Sequence, residues 1–460
     1  MNNRYIILLL LCISWSCQDF VEVDLPSNQV VREDVFSQEE SVEGLMRVLF
    51  YELSATGFFS SGSTSSVTVV HGLSSDELMN YSTINTFPEF YQGRVTTTNE
   101  TVGQLWSTMY STIYMANDIM EGLAEPYADV ISDALKQQSV GECLFIRAFS
   151  HFYLVNTFGN VPLVTSTNYQ ANTSAIQATQ EAVYAQIISD LEGAIELLGD
   201  GYVGERTRPN KTAARLLLSR VYLYLQDWEM AETYASEVLL EQSLYEILNN
   251  PDEVFVANSR EAIWQIEPVG RYHTLEGETF ILNGAPTLFA LNNDLINAFE
   301  EQDKRRMQWI GAYTSESQTY YYPYKYKINA ANGSTSAEEY STILRFAEAY
   351  LIRAEARAQQ NNLEGAIADL DVIRERAGIS QISALNPAIS KEELLAIILE
   401  ERRRELFTEW GHRWFDLIRS GEADNVLNEK GWSSVNYVFP IPENETLLNT
   451  NLHQNLGYNR

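Results

Sequence analysis

LRFAEAYLIRAEARAQ at residues 344–359 and LEGAIADLDVIRERAG at residues 363–378 spell out two arms of a helical hairpin. In the first arm Leu344, Ala347, Tyr350, Leu351, Ala354 and Ala358 recur at three- and four-residue steps, the signature of one buried helical face. Ala366, Ile367, Leu370 and Ile373 continue that face on the second arm. Gln360, Asn361 and Asn362 break the two arms apart, and Gly378 is placed to cap the second. Ala354, Ala358 and Ala366 are small, so the two helices can approach closely.

Small residues at the contact of paired helices are the design of tetratricopeptide-type repeats. The same hairpin can be laid on residues 213–240, with Arg357 on Tyr222 and Ala366 on Ala231. Residues 106–157 and single arms near 181–198 and 392–409 extend the series. The expected fold is mainly α: helical hairpins packed into one body, with a scaffold at about 106–240 and 343–419. Helices are also expected at 41–53, 106–123 and 136–157. In the helix 106–123, Trp106, Tyr110, Ile113, Asn117 and Met120 share a face. Two stretches break the rhythm, about 55–105 and 242–341. IWQIEP at 263–268 reads as a strand, and FGNVPLV at 158–164 as a turn or extended segment. Long irregular segments inside a helical body are uncommon unless they carry function.

The chain of 460 residues has 62 acidic against 31 basic side chains and a formal net charge of −31. Phosphate would be repelled, which argues against nucleic acid as a partner. Aromatic residues make up 12% of the chain, with 26 Tyr and 8 Trp. A buried tyrosine must find a partner for its hydroxyl. Some of these rings are therefore expected to face a ligand, or else to lie as polar-tipped rings on the surface. Cys143 sits in an apolar helical stretch and reads as a core residue.

Residues 5–13 are almost wholly apolar and are followed by Ser14-Trp15-Ser16-Cys17. The run is too short to span a bilayer as a stable helix and reads as a secretory signal. Cys17 directly after small Ser16 points to a lipoprotein signal, with residues 1–16 removed and Cys17 acylated. Ser14 stands where strict lipoboxes prefer Leu. The alternative is an ordinary secretory signal with an incidental thiol. No other stretch approaches 18 consecutive apolar residues.

An enzyme needs an arranged acid, base or nucleophile. His71, His151, His273, His412 and His453 make no HExxH pair, and there is no GxSxG, Walker loop or GxGxxG after a strand. No catalytic residue, metal ligand or cofactor is expected. His151, beside Phe152 and Tyr153, reads as a packed histidine. The run Glu400–Glu405 has alternating signs suited to intrahelical ion pairs, and Gly411 reads as a helix stop. Glu405, Arg413 and Asp416 read as locks between neighbouring helices. Sugar binding asks instead for flat rings against the C–H face of a pyranose, with amides, carboxylates and Arg to orient hydroxyls. Tyr81, Phe90 and Tyr91, interleaved with Asp76, Asn80 and Arg94, supply both ingredients. Tyr272, Trp309, Tyr313, Tyr320 and Tyr322 form the second such group.

Taken in order, these stretches resemble the SusD/RagB family of outer-membrane nutrient-binding lipoproteins. The resemblance rests on Trp106, Tyr110, Ile113 and Asn117; on GECLFIRAFSHFYLVNTFGNVPLV at 141–164; and on TRPNKTAARLLLSRVYLYLQDWEMA at 207–231. Asp303-Lys304-Arg305-Arg306, LRFAEAYLIRAEA at 344–356, EERRRELFTEWGHRWFDLIR at 400–419 and the closing FPIPENETLLNTNLHQNLGY at 439–458 complete it. It implies one such domain over 17–460, lipid-anchored at the outer membrane and exposed at the cell surface. It further implies a SusC-like TonB-dependent transporter as partner and an oligosaccharide as ligand, with variable loops forming the ligand face. Asp76 sits where family members often place a ligand-side acidic residue, and Gln18-Asp19 resembles a surface-export signal. A peptide ligand, or a scaffold binding only proteins, are the competing readings.

Overall fold

The computed structural model describes residues 31–458 apart from 56–57, 59–61, 85, 317 and 333. The expected signal at 1–16, the acylated Cys17 and the export signal at Gln18-Asp19 lie outside the described residues.

The fold is mainly α. Its principal helices are α1 (Glu39–Ala55), α2 (Val67–Ser74), α3 (Glu100–Leu123), α4 (Asp133–Phe158), α5 (Gln180–Leu197), α6 (Lys211–Tyr224) and α7 (Trp228–Leu239). After a long excursion come α8 (Phe346–Gln359), α9 (Leu363–Ala377), α10 (Lys391–Leu406), α11 (His412–Ser420) and α12 (Glu443–Leu448). From α3 to α9 each helix packs on the next, and α8 also packs on α10. The expected hairpins are thus α3–α4, α6–α7 and α8–α9, with α5 and α10 as the extra arms. Helices α7 and α8 are neighbours in space although residues 240–345 separate them in sequence, so the excursion leaves the stack and returns to it.

Local chemistry sets the boundaries. Asn210, Asp227 and Asn362 accept backbone N–H groups at the starts of α6, α7 and α9, and Ser390 with Glu393 forms a capping box on α10. Gly378 ends α9 at φ +73°, as its placement predicts. Helix α4 is buried along nearly its whole second half, so it serves as the central post. Its Phe149 meets Tyr153, Trp264 and Trp410 edge-on at 4.9, 5.2 and 5.4 Å. Cys143 and His151 are fully buried there, as expected. The His151 Nδ1 lies 3.1 Å from the Arg147 carbonyl, and burial lowers its pKa to about 3.

The irregular stretches hold short antiparallel pairs. They are β1 (Leu78–Asn80) with β3 (Phe289–Leu291), β4 (Ile310–Ser315) with β5 (Gln318–Pro323), and β2 (Ala262–Ile266) with β6 (Ser341–Arg345). Residues 55–105 are less irregular than expected: they contain α2, β1 and the short helix Thr86–Tyr91. Helix α2 begins Val-Thr-Val-Val, a weak helix former, but all eight of its residues are buried and Ser66 caps it. Packing outweighs propensity there.

Two expectations about 400–411 need correction. Among the described residues of this run the intrahelical pairs are Arg403–Glu400 and Arg404–Glu401. Glu401, Arg402 and Glu405 are fully buried and also pair across elements, Glu401 with Arg305 at 2.6 Å, Arg402 with Asp416 at 2.7 Å and Glu405 with Arg305 at 2.9 Å. These contacts, with Arg413 to Asp76, do lock neighbouring elements together. Helix α10 ends at Leu406, before Gly411, which instead precedes α11 at φ +72°. A side chain there would come 3.0 Å from His71 and 3.1 Å from Phe415.

Candidate functional site

The β4–β5 hairpin turns around Glu316, at φ +56°. In an antiparallel pair directly opposed residues share a face, and successive residues alternate. One face therefore carries Tyr313 opposite Tyr320, Tyr322 opposite Gly311, and Ser315 opposite Gln318. The other carries Tyr321, which packs on the core, and Thr314 and Thr319, whose hydroxyls are 3.0 Å apart.

Strand β3 lies beside β5, and β1 pairs with β3. The Tyr81 N–H donates to the Leu288 carbonyl at 2.8 Å, extending that ladder by one residue. This brings the Tyr81 ring edge-on to Tyr320, centroids 5.7 Å apart at 83°. Tyr322 meets Tyr324 the same way at 5.7 Å and 81°, and the Lys327 ammonium sits 4.2 Å from the Tyr324 ring centre. Tyr91 stands nearby: partial burial raises the Tyr81 hydroxyl, and Tyr320 and Tyr91 add to the shift. The Tyr91 ring carries the Lys430 ammonium at 4.3 Å.

Of the residues singled out from sequence, the fold brings Tyr81, Tyr91, Tyr313, Tyr320 and Tyr322 together. Tyr324 and Lys327, which follow Tyr322 closely in the chain, join them. Three others are turned to structural work. Trp309 is fully buried, donates its indole N–H to the Pro251 carbonyl at 2.9 Å, and has Lys325 and Arg376 against its ring. Phe90 is fully buried 5.3 Å from Phe439. Asp76 is 8% exposed and holds Arg413 through both oxygens, at 2.7 and 2.9 Å, with Arg403 at 2.7 Å. None of the three has a face left for a ligand. Asn80 spends its side chain in a turn with Ser82. Arg94 is exposed, and its N–H donates to the Glu89 carbonyl. Tyr272 is exposed beside Arg271, which donates to the Ser54 carbonyl at 2.6 Å near the end of α1. Among the described residues no ring contact joins Tyr272 to the hairpin.

The site can stack flat rings and exchange hydrogen bonds with hydroxyls. Among the described residues no three His, Cys, Asp or Glu side chains are grouped to hold a metal ion, and no helix is long and apolar enough to cross a membrane.

Gly311 makes the Tyr322 position testable. A methyl on its α-carbon would lie 2.2 Å from Tyr322 Cζ, so the ring rests on bare backbone. Gly311→Ala should displace that ring, weakening ligand binding in a titration while costing about 1–3 kcal/mol in denaturation. A second test concerns Glu77, beneath the site. Burial, then the neighbouring Asp76 charge, pushes its carboxyl up to about 8, although the Thr408 N–H donates to it at 3.3 Å. Its folded value exceeds the ordinary 4.5. Its contribution is therefore full below that ordinary value and is lost as pH rises through about 8. Glu77→Gln should flatten the alkaline side of the stability–pH curve measured by urea unfolding.

Two family models match the chain. One, described as starch-binding associating with outer membrane, covers residues 19–223, and the SusD family model covers residues 309–458. SusD-like protein P2 of Formosa agariphila is 26% identical over 417 residues, spanning 78% of this chain and 80% of that protein. Starch-binding protein SusD of Bacteroides thetaiotaomicron is 23% identical over 426 residues, 71% of this chain and 74% of that protein. Among solved structures, a SusD superfamily protein of Bacteroides vulgatus superposes with a TM-score of 0.78 at 21% identity, over 92% of this chain and all of that one. A laminarin-binding SusD-like protein superposes with a TM-score of 0.75 at 26% identity, over 92% and 99%. With these two family models together matching residues 19–223 and 309–458, this chain belongs to the SusD/RagB family.

Proposed function

We propose that this protein is a non-catalytic glycan-binding protein of the outer membrane, which captures an oligosaccharide on the Tyr81–Tyr313–Tyr320–Tyr322 face and passes it to a SusC-like TonB-dependent transporter. The observation that carries the reading is the tyrosine face itself: rings on adjoining strands, held by backbone pairing, with hydroxyls at their edges. Rigid rings lose little entropy on binding, and a neutral polyhydroxylated ligand avoids the repulsion that a net charge of −31 imposes on anions. The names of relatives that bind starch or laminarin support the ligand class. The description of the first family model supports the location, and Cys17 is the proposed point of lipid attachment. The described residues that form the tyrosine face, Gly311, Tyr313, Ser315, Gln318, Tyr320 and Tyr322 with Tyr81, include no carboxylate, which favours binding over turnover. Isothermal titration of the purified protein against oligosaccharide and peptide panels tests this. Saturable binding of a neutral oligosaccharide, without its cleavage, is expected; binding of peptides alone would reverse the assignment.

A further inference from the structure

A second cleft opens away from the tyrosine face, between α3, the segment around Pro162 and Tyr169, and α12. Its volume is about 500 Å³, within the usual range for small-ligand sites. Trp106, Tyr110 and Tyr114 stand at i, i+4 and i+8 on α3 and so form one stripe along its wall. Tyr169 faces them from the other side. The Trp106 and Tyr110 rings are 4.9 Å apart, and the Tyr110 hydroxyl donates to the Pro162 carbonyl at 2.8 Å. Tyr114 and Tyr169 at the mouth are 51% and 78% exposed, more than a packing role requires.

Glu445 reaches this aromatic wall from α12. The Trp106 indole lies near enough to hold its carboxyl down, and among the described residues Glu445 makes no ion pair. The residues lining the cleft include no Lys, Arg or His. Partial burial raises the Glu445 carboxyl despite the nearby indole, as expected of a carboxylate that lacks a counter-charge. An anion would be repelled here. Aromatic faces beside an uncompensated carboxylate are instead the surroundings that attract an organic cation.

We propose that the cleft at Tyr114, Tyr169 and Glu445 is a binding site for a small organic ammonium ion, separate from the glycan face. The exposed Tyr114 and Tyr169 rings supply cation–π attraction and shed water, Trp106, 3% exposed, backs the wall, and Glu445 supplies the counter-charge. The inference does not rest on the glycan reading.

Choline chloride is the probe, and 3,3-dimethylbutan-1-ol is its uncharged isostere. Calorimetric titration at fixed ionic strength should give saturable, millimolar choline binding, and the isostere should bind at least about tenfold more weakly. Glu445→Gln should weaken choline by about tenfold with an unchanged melting temperature and unchanged oligosaccharide binding. Tyr114→Ala, at an exposed position, should weaken it severalfold. Equal binding of the isostere, full affinity in Glu445→Gln, or no saturation by choline would each overturn the proposal. So would displacement of choline by a neutral oligosaccharide in a Tyr320→Ala background, because the cleft would then be a sugar site.

Discussion

Glu405→Gln is expected to destabilise the protein by about 3–5 kcal/mol, the cost of breaking a buried ion pair by removing one partner. Glu405 on α10 is fully buried and takes Arg345 at 2.5 Å, Arg305 at 2.9 Å and Arg376. Arg345 also reaches Glu261 and Glu409, and Lys325 donates to the Glu405 and Phe407 carbonyls. The network thus sews the excursion between α7 and α8 onto α9 and α10. Burial alone would push the Glu405 carboxyl up; Arg376, Arg345 and Arg305 outweigh it and hold it well below the usual carboxylate range. Its stabilising contribution is therefore present above the unfolded value and lost only as pH falls through the depressed folded one. Glutamine keeps the shape but leaves three guanidinium groups short of one negative charge. Urea unfolding should show the loss, and hydrogen exchange should rise first in residues 303–327, which the network anchors. Glu400→Gln is the control: its partner Arg403 is 3.5 Å away, Glu400 is 38% exposed, and such pairs contribute under about 1 kcal/mol. Comparable losses in both variants would refute the buried network as the anchor.

That network also explains what the sequence could and could not reveal. The helical stack was legible because a 3.6-residue apolar repeat survives in any window of two turns, as in 344–378 and 213–240. Charge is read the same way, locally, so Glu400–Glu405 reads as ion pairs inside one helix. Only the fold shows that Arg305, Arg345 and Arg376, up to 100 residues away, converge on Glu405. Aromatic rings pose the same difficulty. Trp309 and Tyr320 lie eleven residues apart in one Tyr-rich stretch, yet one is fully buried against Pro251 and the other lines an open face. Strand alternation separates Tyr320 and Tyr322 from Tyr321, but it becomes usable only once the Gln318–Pro323 register is known. Asp76 is the sharpest instance. A carboxylate beside Tyr81 has the composition of a ligand contact, and its commitment to Arg413 depends on a residue 337 positions later.

Tyr81→Ala and Tyr320→Ala are each expected to weaken oligosaccharide binding by about 2 kcal/mol, roughly thirtyfold, with little change in stability. Tyr81 is 37% exposed and Tyr320 half-buried, so neither truncation opens a core cavity. The edge-on contact between the rings makes a further prediction. Each ring holds the other in place, so removing one also loosens the second, and the double variant should lose less than the sum of the singles. A coupling of about 0.5–1.5 kcal/mol is the size expected for such an aromatic pair. Tyr272→Ala, at an exposed ring outside the hairpin face, should leave the affinity unchanged. Titration of the unsubstituted protein and these four variants with one oligosaccharide decides the matter. Additive losses would place the two rings on separate parts of the ligand, and undiminished affinity in Tyr320→Ala would remove the hairpin face from the binding site altogether.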